Sequence, residues 1–174
     1  MLKKIFVLLV ILGFSFALML LTTGESHFEV ASHASYPVSQ EELWQVLVAV
    51  DSWSDWWPGV EESRLVGALS AGSEFHLRLK GMPTKEPAVL IVVRPQNELV
   101  WESSGVFGSR AGTRFLLEPD AENSRLTIEN FIRGPQAFLA RFTGEDAFVK
   151  YQQTLLERLA LSFQGKRGVI GEKN

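Results

Sequence analysis

The sequence of 174 residues has no cysteine, and it has only three histidines. The absence of cysteine excludes a disulfide framework, a thiolate metal site, a cysteine nucleophile and a lipid-modified N-terminal cysteine. A nucleophilic triad needs a histidine. His27 and His33 lie in or before the first predicted strand, and His76 lies on the same side of its predicted strand as the polar residues Glu74 and Arg78. These positions are typical of solvated faces. The sequence also lacks a Gly-x-Ser-x-Gly turn, a two-histidine metal spacing and a phosphate-binding loop. We therefore predict no catalytic set, no metal site and no cofactor.

Positive charge is scarce in the larger part of the chain. Of the 17 lysines and arginines, Lys3 and Lys4 precede residue 21, so 15 remain beyond it against all 20 aspartates and glutamates. An acidic domain is a poor match for a phosphate backbone, and we expect no nucleic-acid partner. The sequence contains no internal repeat and no sign of a second folded domain.

Charge is also absent from residues 5–21, which read IFVLLVILGFSFALMLL. This run is close to the roughly 20 residues that cross a bilayer as a helix, and we predict that residues 1–21 form a single-pass membrane anchor. The two lysines before the run, and the lack of basic residues in the linker 22–26, predict a cytoplasmic N-terminus and an extracytoplasmic domain. One alternative is a signal peptide cleaved after Ser15-Phe16-Ala17, which would give a secreted protein. A buried core helix is the other alternative, but the run offers almost no polar face.

Beyond residue 26 the sequence shows the alternation of half-buried strands. Residues 27–36 form the first predicted strand, and Ser39-Gln40-Glu41-Glu42 is a capping box that begins a helix from about 40 to 50. Short turn segments then separate further predicted strands, which cover 60–69, 73–80, 88–93, 98–104, 112–118 and 125–132. Connections this short predict antiparallel neighbours.

The C-terminal part of the domain, residues 135–164, has apolar residues at the three-and-four spacing of a wide helical stripe. Gly144 follows the β-branched Thr143 and precedes the acidic pair Glu145-Asp146, which is typical of a helix N-terminus. We therefore predict a break near residue 143, between a short helix 135–142 that could act as a lid and a main helix 145–164. Residues 165–174 are predicted to be a polar tail.

These elements predict an α+β fold in which a curved antiparallel sheet of about seven strands surrounds one long C-terminal helix. Two segments carry a family resemblance: Tyr36-Pro37-Val38-Ser39 leading into Glu42-Leu43-Trp44, and Trp53-Ser54-Asp55-Trp56-Trp57-Pro58-Gly59-Val60. Residues 27–164 resemble the START-like superfamily, and within it the polyketide cyclase/dehydrase and lipid-transport (SRPBCC) branch. The resemblance implies a helix-grip, Bet v 1-like fold with an elongated apolar cavity between sheet and helix. Its members include carriers of hydrophobic molecules and aromatase/cyclases of polyketide synthesis.

The strand and helix patterns predict which side chains face this cavity. Asn130 is the predicted polar contact, although it could equally be a satisfied core amide, and Ser103 and Thr113 share its inward orientation. Trp57 belongs to a tryptophan-rich segment that either plugs one end of the sheet or lines a ligand mouth. The predicted ligand-binding residues are Trp57, Phe75, Leu77, Trp101, Phe115, Ile128, Asn130, Phe142, Phe148 and Tyr151.

The apolar inward set favours a membrane-tethered binding protein for a hydrophobic or lipid-like small molecule. One alternative is an enzyme of the cyclase/dehydrase type, in which Asn130 or Tyr151 takes part in acid–base chemistry. A pair formed by Glu102 and Glu129 would lie opposite the predicted core side and is disfavoured. A third possibility is a structural domain whose aromatic side chains fill the space completely.

Overall fold

The computed structural model describes residues 2–23, 26–81, 87–121 and 123–170. The seven strands in these residues form one antiparallel sheet. The strands are β1 (His27–Tyr36), β2 (Val60–Leu65), β3 (Glu74–Leu79), β4 (Ala88–Arg94), β5 (Glu98–Ser104), β6 (Arg110–Asp120) and β7 (Asn123–Arg133). The helices are α1 (Leu2–Thr23), α2 (Gln40–Val48), α3 (Trp53–Trp56), α4 (Pro135–Thr143) and α5 (Glu145–Ile170).

The strand order in the sheet is β1-β7-β6-β5-β4-β3-β2. Strands β2 to β7 therefore follow one another as a meander, while β1 pairs with the last strand and lies at the opposite edge from β2. The curled sheet packs its inner face on the C-terminal helix, which contacts β1 most extensively. The predicted α+β fold with about seven antiparallel strands is confirmed.

The N-terminal segment requires a correction. Among the residues that the structure describes, no helix is long and apolar enough to cross a membrane. The predicted single-pass anchor, with its cytoplasmic N-terminus and extracytoplasmic domain, is therefore wrong. The apolar run 5–21 would supply about 25 Å of helix, less than the roughly 30 Å of a bilayer's hydrocarbon core. Lys3 and Lys4 at one end of α1, and Thr22 and Thr23 at the other, do not extend that run. Residues 24 and 25 of the predicted linker lie outside the described residues.

Helix α2 begins at the predicted capping residue, since Ser39 Oγ accepts a hydrogen bond from the Glu42 amide at 3.1 Å. The helix ends at Val48 rather than residue 50 because Ala49 leaves the helical conformation, with ψ at 63°. A 3-10 turn and α3 follow directly, and the Trp53 indole donates to the Leu47 carbonyl at 2.9 Å. This bond satisfies one of the carbonyl groups that the end of α2 leaves without an intrahelical partner.

The tryptophan-rich segment fills one end of the space between sheet and helix. Trp53 is fully buried and packs edge-on against Phe75 of β3, with ring centroids 5.3 Å apart. Trp57 packs in the same way against Phe115 of β6 at 5.6 Å. These aromatic contacts form a continuous core at this end, as expected for a plug, which is one of the two alternatives for the segment.

The predicted break in the C-terminal helix is confirmed at Gly144, whose φ and ψ angles are 92° and 122°. A positive φ favours glycine because a Cβ atom would be strained there. The main helix α5 begins at Glu145 as predicted, but it continues past residue 164 to Ile170. The first part of the predicted polar tail is therefore helical, and residues 171–174 lie outside the described part of the chain.

Candidate ligand-binding cavity

A cavity of about 470 Å³ lies between the inner face of the sheet and the N-terminal half of α5. Its wall consists of Trp57, Pro58, Gly59, Leu77, Leu79, Lys80, Trp101, Thr113, Asn130, Ala147, Phe148 and Tyr151. Strands β3, β5, β6 and β7 each contribute inward-facing side chains, because alternate residues of a strand point to the same face. Most of these side chains are apolar, and a small number of polar groups stand among them.

Two further chambers continue this space along the sheet. A chamber of about 200 Å³ shares Leu77, Trp101, Thr113 and Asn130 with the first. A third, of about 570 Å³, shares side chains with the second and lies beneath α4, where its wall includes Gln136 and Leu139. The side chains common to the second and third chambers are Ser103, Ala111, Ile132 and Phe148. The result is an elongated space that follows the sheet from Trp57 to α4.

A buried polar network crosses the wall of the first chamber. Gln152 of α5 is fully buried, and its amide nitrogen lies 2.8 Å from the Val30 carbonyl and 2.8 Å from Asn130 Oδ1. Its amide oxygen accepts a hydrogen bond from Ser32 Oγ at 2.7 Å. Asn130 in turn donates to Thr113 Oγ1 at 2.9 Å. The network joins β1, β7 and β6 to α5, and it fixes the position of the two polar side chains that face the cavity.

The hydroxyl group of Tyr151 is engaged at the other side of the chamber. It accepts a hydrogen bond from the Trp57 indole at 2.5 Å and lies 3.5 Å from the Pro58 carbonyl. Burial raises the pKa of the Tyr151 phenol, and the hydrogen bond from Trp57 only partly opposes this effect. The phenol is therefore neutral at physiological pH, and it connects α5 to the segment that follows α3.

Residues 27–164 match the model of the family described as polyketide cyclase/dehydrase and lipid transport. The chain belongs to this family. No curated protein matches its sequence. Among solved structures, a hypothetical protein from Helicobacter pylori, jhp0584, is 14% identical with a TM-score of 0.65, and the match covers 78% of this chain and 87% of that one.

Two other solved structures share the same fold at low sequence identity. StfQ, a di-domain ARO/CYC from the steffimycin biosynthetic pathway, is 13% identical with a TM-score of 0.65, over 82% of this chain and 52% of that one. Ara h 8.0201 is 12% identical with a TM-score of 0.57, over 79% of this chain and 99% of that one. At these identities the likeness shows the fold alone, and the fold is the helix-grip, Bet v 1-like one that the sequence predicted.

The structure divides the predicted ligand-binding residues into three groups. Six of them line the first chamber: Trp57, Leu77, Trp101, Asn130, Phe148 and Tyr151. Phe75, Phe115 and Ile128 face the same side of the sheet but are fully buried in the core beneath the tryptophan segment. Phe142 lies on the outer side of α4, where it is 75% exposed and packs against Phe138. Strand alternation gives the face of a residue, but it does not show which part of that face another segment covers.

Sequence reasoning missed Gln152, which organises the polar wall. The residue lies on the buried stripe of α5, four positions after Phe148 and three before Leu155. A glutamine at this spacing, between two apolar positions of a buried helical face, is the signal that could have identified it. Leu79, the last residue of β3, and Lys80, directly after it, also line the first chamber and are not among the predicted ligand-binding residues.

The acidic side chains of the sheet lie on its outer face. Glu102 forms ion pairs with Arg110 at 3.2 Å and Arg133 at 3.4 Å, and Glu129 lies 3.6 Å from Arg114. Neither glutamate reaches the cavity. In the described residues no three histidine, aspartate or glutamate side chains come together in a way that could hold a metal ion. The chemistry available to a ligand therefore comes from the inner wall.

Proposed function

We propose that the chain binds an apolar small molecule in the space between the sheet and α5 and holds it without altering it. The observation that carries this proposal is the first chamber itself. Its volume of about 470 Å³ falls within the range of small-molecule sites, which are lined mainly by apolar side chains with a few placed polar groups. A fatty acid or an isoprenoid has this combination of a long apolar body and one polar end.

The groups on the wall favour binding over catalysis. Of the described residues that line the first chamber, only Lys80 and Tyr151 carry titratable side chains. The Tyr151 hydroxyl is engaged with Trp57, and burial raises its pKa, so that it is a poor general base. Asn130, the other residue considered for acid–base work, is not titratable and is bonded on both sides to Gln152 and Thr113.

The apolar wall also supplies a driving force for uptake. Each methylene group that moves from water into such a chamber contributes roughly 0.8 kcal/mol. A space of this size argues against a purely structural domain, because protein interiors are otherwise packed at the density of organic crystals.

Native mass spectrometry of the purified protein tests the proposal. We expect a complex of one protein with one apolar molecule, either carried through purification or formed with an added fatty acid. The ligand recovered from the complex should have an unchanged mass after prolonged incubation. Absence of any complex would contradict binding, and a ligand that loses water or is cyclised would favour an enzyme of the cyclase/dehydrase type.

A further inference from the structure

The orientation of the buried Gln152 amide is fixed by main-chain carbonyl groups. Its terminal nitrogen lies 2.8 Å from the Val30 oxygen and 3.2 Å from the Ile128 oxygen. A carbonyl oxygen can only accept, so the atom that faces both of them must be the nitrogen, which carries the hydrogens. The amide oxygen must then face Ser32, whose hydroxyl donates to it.

This fixed orientation determines the direction of every bond that follows. The same Gln152 nitrogen lies 2.8 Å from a terminal atom of Asn130, and only an oxygen can accept a hydrogen bond there. The Asn130 nitrogen must therefore face Thr113, and the threonine oxygen accepts at 2.9 Å. Thr113 is nearly fully buried, and its hydroxyl hydrogen has no acceptor among the described residues.

The consequence is a surplus of hydrogen-bond donors at the wall of the chamber. Beside the Thr113 hydroxyl, the second amide hydrogen of Asn130 has no acceptor in the described part of the chain. Trp101 lines the same chamber, and its indole nitrogen, which is itself buried rather than exposed to the chamber, has no partner among those residues either. Unpaired buried donors are rarer in folded proteins than under-used acceptors, and each one costs free energy.

We propose that the polar group of the ligand is an sp² oxygen, as in a ketone, an ester or a carboxylate, and that Thr113 donates to it. Such an oxygen accepts hydrogen bonds and brings no hydrogen of its own, so it matches a wall that offers donors. This inference rests on the proposed binding function and names the chemical class of its ligand. Thr113 is then the residue that selects the polar end, and Gln152 and Asn130 position it.

The test compares two ligands that differ at one atom. One is a long-chain methyl ketone, and the other is the matched alkene in which a methylene group replaces the carbonyl oxygen. Thr113→Val removes the hydroxyl at nearly constant volume. We expect this substitution to weaken ketone binding by about 3- to 10-fold, the range for one neutral hydrogen bond, and to leave alkene binding unchanged. Thr113→Ser retains the hydroxyl and should restore the affinity for the ketone.

Two more measurements make the outcome decisive. The infrared carbonyl stretch of the bound ketone should lie at lower frequency in the native protein than in Thr113→Val, and a purely structural role of Thr113 would not produce that shift. A fatty acid of the same length is the third probe. If Thr113→Val lowers the affinity for the acid but not for the ketone, the polar group that the site binds is a carboxylate. Equal affinity of the native and Thr113→Val proteins for both ketone and acid would overturn the inference while leaving binding intact. Failure of the native protein to bind any of the three probes would remove both proposals.

Discussion

The ring of Phe131 on β7 lies over Gly112 on β6, on the outer face of the sheet. An ideal Cβ atom at residue 112 would stand 2.5 Å from Phe131 Cζ and 2.3 Å from the carbonyl oxygen of Trp101. The Arg133 guanidinium lies over the same ring, 4.9 Å from its centroid. Gly112 therefore permits a close approach of three strands that no other residue would allow.

Gly112→Ala should lower the free energy of unfolding by about 1 to 3 kcal/mol, because the added methyl group overpacks the contact. Urea denaturation measures the change. In a Phe131→Leu background the same Gly112→Ala change should cost less than in the native protein but still some stability, because the contact with the ring is relieved and the one with the main chain is not. A single variant as stable as the native protein would show that the strands are not this close.

Leu77→Arg should abolish the uptake of a fluorescent fatty-acid methyl ester, which brings no carboxylate to pair with the new charge. Leu77 lines both the first and the second chamber, and an unpaired charge there is incompatible with an apolar chain. His76→Arg is the matched control. The His76 side chain is next to Leu77 in the sequence, but it is exposed on the opposite face of β3. Fluorescence titration of both variants, with circular dichroism to establish folding, provides the measurement. Normal uptake by a folded Leu77→Arg protein would exclude this cavity as the binding site.

The change in the free energy of unfolding caused by Gly144→Ala has one sign for a broken helix and the opposite sign for a continuous one. In a straight helix, alanine would be more stable than glycine by roughly 1 kcal/mol. At the observed φ of 92° the substitution is strained, and we expect a loss of about 1 to 2 kcal/mol. Thermal unfolding would show the direction, and an increase in stability would contradict the break between α4 and α5.

The stability of the protein should decrease above about pH 10, the usual pKa of tyrosine in an unfolded chain. Burial raises the pKa of the Tyr36 phenol well above that value, and its hydroxyl donates to the Leu156 carbonyl at 2.9 Å. Between the unfolded and folded pKa values the native state binds the proton that the unfolded state releases, so stability is complete below pH 10 and falls as the pH rises. The slope for Tyr36 is up to about 1.4 kcal/mol per pH unit, whereas Tyr151 is more exposed and should add less.

Urea denaturation at a series of alkaline pH values measures this slope. Tyr36→Phe should be less stable than the native protein at neutral pH, because the hydrogen bond to Leu156 is lost, and it should have a shallower pH dependence. An identical slope in the variant would show that the Tyr36 phenol does not remain protonated in the folded state.

Local patterns were sufficient to predict most of the fold. β1 and β5 begin and end at the predicted residues, and the capping serine and the break at Gly144 are where the sequence indicates. Each of these features depends on neighbours within a few positions, such as alternating side chains or one residue suited to a cap or a turn. The prediction for the N-terminal run is wrong because apolar composition alone does not give a span, and the apolar run of 17 residues lies at the lower limit of the length that a spanning helix needs.

The cavity could be predicted only in part, because its boundaries depend on segments that are distant in sequence. Phe75 and Leu77 both point inward from β3, yet Trp53 covers the first and leaves the second beside open space. Likewise, the role of Asn130 depends on Gln152, which is 22 positions away along the chain. No local periodicity contains either relationship.

Phe148 lies between the cavity in the interior of the protein and β1 at the edge of the sheet. The ring borders all three chambers, and it also packs against Phe28 of β1 with centroids 5.1 Å apart. On the proposed binding function, we expect a short ligand in the first chamber to leave this aromatic pair in place and a ligand that extends beneath α4 to compete with the ring for the same space. Phe148 would then discriminate between ligands by their length, and the longer ligand would disturb the packing of the first turn of α5 on the edge strand of the sheet.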